Sequence, residues 1–483
     1  MMEFETVIGL ECHVELATAT KMFCGCLNEF GARPNTNVCP VCLGHPGTLP
    51  VPNEKAIEYT IKIGLALDCR IAPHSLFHRK NYFYPDMPKN YQISQYDLPL
   101  CIDGHLDVEV DGDVRRIGIT RVHLEEDTGK TIHAGATGRI GGAEYALEDY
   151  NRAGVPLVEV VSEPDMRTAE EARAYFTELR ATLEALGVSD VRMEEGSLRC
   201  DANISVRPPG NPELGTKIEI KNLNSIRSLY HALHYEQTRQ IEAIKRGEKL
   251  IQETRHWEEN RGITTHGRSK EYAFDYRYFP EPDLAPIEPD PEWIEKLRAQ
   301  LPELPSARRR RFDQEYGLDE RQASLVGGTR AWADFFEEAV TLGADPKTAA
   351  NWMTGDLAGL LREHGRSLEE SKVTPQHVAD LVRLLAEGTI SSAGAKAALA
   401  EAFQTGGSVE EIVEAKGLRQ VSDASALEGV IDEVIAENPG PAEQFSRGKE
   451  GALNALVGQV MKKTRGAANP KLAADLLRQR LAG

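Results

Sequence analysis

Residues 7–16 read Val-Ile-Gly-Leu-Glu-Cys-His-Val-Glu-Leu, a period-two alternation. It puts Glu11, His13 and Glu15 on one strand face and Ile8, Leu10, Cys12, Val14 and Leu16 on the other. An imidazole between two carboxylates can hold a cation or move a proton; on the wet side of an antiparallel sheet the same residues serve solubility alone. Two further segments favour chemistry. Residues 121–130 end an alternating strand in Glu125, Glu126 and Asp127, three successive acids that repel one another unless a cation or several donors stand nearby. In residues 155–161, Glu159 sits among valines, an expensive place for a carboxylate that is neither paired nor metal-bound. Three strand segments offering oxygen ligands suit Mg2+, a hard ion that bridges to phosphates. Residues 198–207 add Asp201, Asn203, Ser205 and Arg207 on one face, and Lys217, Glu219 and Lys221 likewise oppose Ile218 and Ile220. Polar faces of this density line a site more readily than they line bulk water.

Four of the eight cysteines form two close pairs, Cys24-x-Cys26 and Cys39-Pro-Val-Cys42. Two close pairs match a structural zinc site, although the one-residue gap of the first is tighter than usual; four free thiols are the alternative. Cys12, Cys69, Cys101 and Cys200 lie among apolar neighbours and are expected in the core. Residues 80–97, which include Lys80 and Lys89, and residues 269–283, which include Arg277, mix aromatics, cations and amides without a helix or strand period. Stacking with phosphate contacts is one reading of them, and buried tyrosines bracing long loops is the other.

The elements that must position these residues change along the chain. Up to residue 292 short alternating strands are broken by Gly, Pro and Asp turns, with a few helices such as the one near residues 168–186. The proline-rich run 279–291 cannot be a helix interior or a central strand. Beyond Trp293 the pattern is helical, with Thr374-Pro375 as a start signal and Gly406-Gly407 as a second break. Leu453, Leu456, Val457, Val460 and Met461 recur at helical spacing and must face one core. The expected fold is α+β: a domain over 1–292 with a large, mainly antiparallel sheet, then all-α domains over 293–405 and 406–483.

The chain has 483 residues, 41% of them hydrophobic and 27% charged, an ordinary globular balance at a length that suggests about two to four domains. No stretch reaches the ~20 apolar residues of a membrane span, and MMEFETVIGL lacks the order of a signal peptide, so a cytoplasmic location is expected. The net charge of −19 opposes indiscriminate nucleic-acid binding. Residues 444–483, however, hold eight Lys and Arg against two acids, among them Lys462, Lys463 and Arg465. That tail is either a solvated helical face or an RNA contact. Thr128-Gly129-Lys130-Thr131 hints at a phosphate loop, but the glycine needed five positions earlier is Leu124. There is no G-x-S-x-G elbow or Ser-rich amidase segment, so any nitrogen chemistry needs ammonia from elsewhere.

Taken together, Gly9-Leu-Glu-Cys-His-Val-Glu, Arg79-Lys-Asn-Tyr-Phe-Tyr-Pro-Asp, His123-Leu-Glu-Glu-Asp-Thr-Gly-Lys, Asp149-Tyr-Asn-Arg, Gly196-Ser-Leu-Arg-Cys-Asp-Ala-Asn-Ile-Ser and Asp275-Tyr-Arg-Tyr-Phe-Pro-Glu-Pro-Asp closely resemble the B subunits of the aspartyl/glutamyl-tRNA amidotransferases. The resemblance implies a glutamine synthetase-like cradle domain, a helical domain and a small helical tail that meets tRNA. It implies an ATP-dependent ligase that phosphorylates the side-chain carboxylate of Glu on mischarged tRNA-Gln, or of Asp on mischarged tRNA-Asn. Ammonia from a partner amidase, the A subunit, then displaces the phosphate, with a small C subunit joining the two. Carried over position by position, it makes His13, Glu126 and Glu159 the Mg2+ ligands, with Glu11 and Glu125 close by as catalytic carboxylates. Lys80 and Lys89 are expected on the phosphate or the ammonia path. Arg207, Lys221 and Arg277 are the cations expected at the nucleotide, and Lys462, Lys463 and Arg465 at tRNA. The cysteine cluster, Cys24, Cys26, Cys39 and Cys42, is implied to be structural rather than catalytic. A non-catalytic tRNA-binding or assembly protein is the alternative.

Overall fold

The computed structural model describes residues 3–134, 143–267, 273–420, 424–447, 449–464 and 468–482. They form two compact units, Met1–Leu304 and Pro305–Gly483. The strands of the first unit are β1 (Glu5–Glu15), β2 (Arg70–Ile71), β3 (His78–Asn81), β4 (Tyr91–Ser94), β5 (Cys101–Val110), β6 (Asp113–Glu126) and β7 (Lys130–Ala134). They continue with β8 (Tyr145–Asp149), β9 (Pro156–Ser162), β10 (Leu198–Arg207), β11 (Ile218–Lys221), β12 (Glu253–Glu258), β13 (Ile263–His266) and β14 (Phe279–Pro280). Nine of them make one sheet in the order β13-β12-β11-β10-β1-β9-β6-β5-β2, with β14-β3-β4 and β7-β8 apart from it. Its pairings are antiparallel except β11 with β12. That parallel step needs a crossover, supplied by the helix Ile226–Lys245.

Alternation sorts the two faces of the sheet. Leu10, Cys12 and Val14 of β1 and Cys200 and Ala202 of β10 are buried in one core with Tyr175, Phe176, Leu179 and Leu183 of the helix Ala169–Leu186. The Leu, Val and Phe side chains among them contribute roughly 1.5–3 kcal/mol each when fully buried. That helix starts where Thr168 accepts from the Glu171 amide and stops at Gly187 in the left-handed region, φ 65°. The opposite face carries the polar residues of the same strands.

The break after the proline-rich run falls later than 292/293. Leu297, in the helix Pro291–Ala299, is buried in the first core, and Trp293, Ile294 and Leu301 pack against it. Prolines interrupt regular structure there but not hydrophobic contact, so the first unit runs to Leu304.

The second unit is helical, from Pro305–Tyr316 to Pro470–Ala482, with no named strand among its described residues. It contains two hydrophobic cores, one spanning Phe312 to Val413 and the other Leu427 to Leu477. Gly406 caps the helix Ser392–Thr405 at φ 75°. The next helix, Val409–Ala415, still buries Val409, Ile412 and Val413 in the earlier core. The change of core therefore comes after residue 413 rather than at 405/406. Leu453, Leu456 and Val460 are buried in the second core with Val457 and Met461 against it. No described helix is long and apolar enough to cross a membrane.

Candidate active site on the polar face of the sheet

Three central strands bring the expected histidine and carboxylates together. His13 of β1 lies opposite Glu159 of β9, which lies opposite His123 of β6. Directly opposed residues share a face, and Glu125, two positions beyond His123, shares it too. His13 Nε2 is 3.7 Å from Glu125 Oε1 and 3.8 Å from Glu159 Oε2, and His123 Nε2 is 3.4 Å from Glu159 Oε2. One ligand atom each from His13, Glu125 and Glu159 lies within 4.8 Å of the others. Donors bound to one Mg2+ at about 2.1 Å stand at most ~4.2 Å apart, and the 3.7 and 3.8 Å separations of His13 from the two carboxylates fall within that limit.

Burial raises the Glu125 carboxyl above the usual range, with the Glu159 charge adding to it. Burial opposes ionisation of Glu159 as well, but His123, His13 and Arg121 outweigh it and lower the carboxyl to about 2. Burial pushes the His123 imidazole down to about 4, against the pull of the Glu159 charge. A buried and a half-buried carboxyl group with only partial countercharge describe a place for a cation.

A second network borders the first. Arg199 sits opposite His13 on β10 and donates to Asp127 Oδ2 at 2.6 Å, with Arg152 Nε 3.7 Å from the same oxygen. Against burial, those guanidinium groups lower Asp127 to about 2. Glu15 is pushed up to about 8 by burial and by the Asp127 charge. On the other flank, Asn203 Nδ2 donates to Glu11 Oε1 at 2.8 Å, and Lys221 Nζ lies 3.0 Å from Asp201 and 3.7 Å from Glu219. Lys80 Nζ stands 4.9 Å from the Tyr276 ring, and its charge reaches Glu125 and Glu159. Tyr96 and Tyr278 stack at 4.3 Å, so the two aromatic segments meet over this end of the sheet.

Other expected residues lie elsewhere. Glu126 leaves β6 on the opposite face, pairs with Lys89 and accepts from the Ile93 amide at 2.9 Å. Glu125, not Glu126, is the carboxylate that joins His13 and Glu159, because successive side chains of a strand alternate. Lys89 and Glu126 line a cavity of about 180 Å3 beside Cys24 and Cys42. Arg207 is bound to Glu5 at 2.8 Å. Arg277 takes a left-handed backbone, φ 46°, and lines an open cleft with Lys80 and Tyr276.

The four clustered cysteines converge, with one sulfur from each within 4.8 Å of the others. Cys39 and Cys42 are 3.9 Å apart at sulfur, near the ~3.8 Å edge of a tetrahedron with Zn–S bonds of about 2.3 Å. Cys42 is lowered to about 4, chiefly by a hydrogen bond from the Cys24 thiol. Buried Lys21 lies 3.8 Å from the Cys42 sulfur and donates to the Tyr150 carbonyl at 3.2 Å.

Residues 6–295 match the family model described as the GatB/GatE catalytic domain, and residues 334–481 the one described as the GatB domain. A curated relative from Carboxydothermus hydrogenoformans is 55% identical over 482 residues, 100% of both chains. One from Moorella thermoacetica is 54% identical over 480 residues, 99% of this chain and 100% of the relative, and one from Geotalea uraniireducens is 51% identical over 482 residues, 100% of both. All three are named as the B subunit of an aspartyl/glutamyl-tRNA(Asn/Gln) amidotransferase. The chain belongs to this B-subunit family.

In the B-subunit tail, Lys462 and Lys463 end the helix Gly451–Lys463, where cations suit the dipole. Lys463 Nζ is held 2.7 Å from Glu433 and 2.8 Å from Glu437; Arg465 lies outside the described residues. The site residues that sequence reasoning left unassigned are His123, Asp127 and Arg199. Parity was the available signal for His123, which shares its face with Glu125.

Proposed function

We propose that this protein activates the side-chain carboxylate of Glu on mischarged tRNA-Gln, or of Asp on mischarged tRNA-Asn, with ATP, and amidates it. The observation that carries the reading is the His13, Glu125 and Glu159 cluster at the centre of the polar face. A substrate carboxylate oxygen attacks the γ-phosphorus of ATP and the bond to ADP breaks, leaving an acyl phosphate. Ammonia then attacks the acyl carbon, the carbon–oxygen bond to phosphate breaks, and the nitrogen sheds a proton. One hard displacement thus becomes two easier ones.

His13, Glu125 and Glu159 would hold Mg2+, which when bound neutralises charge on the transferring phosphoryl group. Lys80, beside Tyr276 and within electrostatic reach of the cluster, counters phosphate charge. Glu11, which accepts from Asn203, takes the proton shed by nitrogen. Lys221 stands on the nucleotide flank, and Arg277 faces the cleft that Lys80 shares. The Lys89 and Glu126 cavity lies apart from the phosphate chemistry and is the candidate ammonia path. Cys24, Cys26, Cys39 and Cys42 hold a structural zinc. The chain shows no amidase motif, so ammonia comes from a partner amidase, the A subunit, with a small C subunit completing the assembly. Residues 1–304 supply a glutamine synthetase-like cradle, and the last basic helices meet tRNA.

The test is Glu159→Gln in the assembled complex. Mischarged-tRNA-dependent ATP cleavage should fall at least a hundredfold, about 2.7 kcal/mol of lost transition-state stabilisation, while tRNA binding persists. Retained turnover would leave the chain a binding and assembly protein.

A further inference from the structure

Lys21 is among the largest fully buried side chains of the protein, 1% exposed. Its partners among the described residues are the Cys42 sulfur, at 3.8 Å, and the Tyr150 carbonyl, at 3.2 Å. Neither is a carboxylate. Glu126, which borders Gly154 as the Lys21 stem does, pairs with Lys89 instead. A buried ammonium is expensive to keep without a counter-charge. The Cys42 sulfur also accepts from the Cys39 amide at 3.2 Å, so two donors converge on one sulfur. Donors gather in this way around an acceptor that carries negative charge.

The other contact of Lys21 leads toward the carboxylate cluster. Residues 148–154 are gripped by the loop that carries the cysteines. Asn35 Nδ2 donates to the Glu148 carbonyl at 2.9 Å, Asn35 Oδ1 accepts from the Tyr150 amide at 2.8 Å, and Asn151 Oδ1 accepts from the Asn37 amide at 2.8 Å. Gly154, at φ 87°, brings the backbone so close that a Cβ there would stand 3.4 Å from the Cys42 Cβ and 3.5 Å from the Lys21 Cδ. Between these ties Arg152 donates to the Thr128 and Gly129 carbonyls at 3.0 and 2.8 Å and stands 3.7 Å from Asp127.

We infer that Lys21 is a positioning residue that supplies the counter-charge of the four-cysteine zinc site and fastens that site to the loop bearing Arg152. The inference rests on the zinc reading above and adds which group balances the site and what the site braces. Four thiolates around one Zn2+ leave two negative charges in excess, and an ammonium held against one of the sulfurs offsets one of them. Zinc displaces thiol protons as it binds, so loading makes the site more negative. A fixed positive charge therefore favours the loaded state. Removing zinc leaves the ammonium buried without compensation, which loosens its hold on Tyr150 and with it the seat of Arg152.

The experiment follows zinc leaving the full-length protein for the chelating dye 4-(2-pyridylazo)resorcinol. Lys21→Met should speed release by roughly tenfold or more, the scale of losing a residue that supports a metal ligand. Lys21→Gln, which restores a donor but not the charge, should also speed it and takes the place of the methionine variant if that one does not fold. With Co2+ in place of zinc, the thiolate-to-metal charge-transfer band of either variant should move to longer wavelength, because a sulfur that loses a donor gives up its electrons more readily. A general loosening of the fold does not move that band. Amide exchange should quicken at residues 149–154 in the variants and in zinc-stripped wild type alike. Wild-type release rates with an unmoved band overturn the counter-charge, and unaltered exchange at 149–154 overturns the fastening. Wild-type protein that carries no zinc and takes up no Co2+ sinks the zinc reading itself, whereas a loaded wild type with indifferent variants sinks only the role of Lys21.

Discussion

Glu125 and Glu126 are adjacent on β6 yet serve separate groups: Glu125 stands 3.7 Å from His13, whereas Glu126 pairs with Lys89 across the sheet. Glu125→Gln should raise the Mg2+ needed for half-maximal ATP cleavage by roughly tenfold or more, as expected for loss of a charged ligand. Glu126→Gln should leave that requirement alone. It strands a buried ammonium, however, and should lower the thermal stability of the first unit by about 3–5 kcal/mol. Mg2+ titrations and unfolding curves of the two variants distinguish the roles, and the reverse pattern would return Glu126 to the metal.

Zinc makes a separate prediction. Atomic emission on the freshly purified protein should find about one zinc per chain, and Cys39→Ser with Cys42→Ser should abolish it. The loop around Cys24 to Cys42 would then become sensitive to limited proteolysis, since a closed four-thiolate site is folding free energy in itself. Wild-type protein without zinc would leave four free thiols.

The helical unit offers two places to cut. Ending the chain at residue 420 removes the core around Leu427 to Leu477 and leaves the other intact. Ending it at 407 also strips out Val409, Ile412 and Val413, each buried side chain worth about 2 kcal/mol. Only the shorter protein should lose its cooperative transition. Both should bind tRNA more weakly, with the salt dependence flattened by about 0.7–0.9 in log–log slope per lost phosphate contact. Equal affinity in full-length and truncated proteins would assign the RNA contact elsewhere.

His377 gives the helical unit a pH response. Its Nδ1 accepts from the Thr374 amide at 3.0 Å at the start of the helix Pro375–Ala386, and burial holds its pKa below the usual histidine value. The folded imidazole stays neutral where the unfolded one already binds a proton. Stability is therefore full above about pH 6.5 and is lost as pH falls through the lowered folded value. His377→Gln should flatten that acid limb in thermal unfolding; an unaltered limb would place the titration on another group.

Much of this was legible because it is local. Residues 7–16 sorted themselves by parity, and Leu10, Cys12 and Val14 are buried as that pattern requires. The cysteine cluster was legible because its spacing is short, and its sulfurs do converge. The choice between Glu125 and Glu126 needed the register of β6 against β9, which pairs His123 with Glu159 and is set by contacts between distant segments. The ion pairs of Arg207 and Lys221, two cations expected at the nucleotide, were hidden for the same reason. Their partners, Glu5 and Asp201, lie across strands that local pattern does not join. Proline could announce a break after residue 278 but not that the following helix folds back through Leu297.

The central position of β1 also bears on how the protein is made. Its partners are β9 and β10, Pro156–Ser162 and Leu198–Arg207. At about 5–20 residues per second, a ribosome delivers the first strand roughly 10 to 40 seconds before the last of these neighbours emerges. Throughout that interval a strand with Ile8, Leu10, Cys12 and Val14 on one face waits unpaired in the cell, so this first unit should depend on holding chaperones during synthesis far more than its helical second unit does.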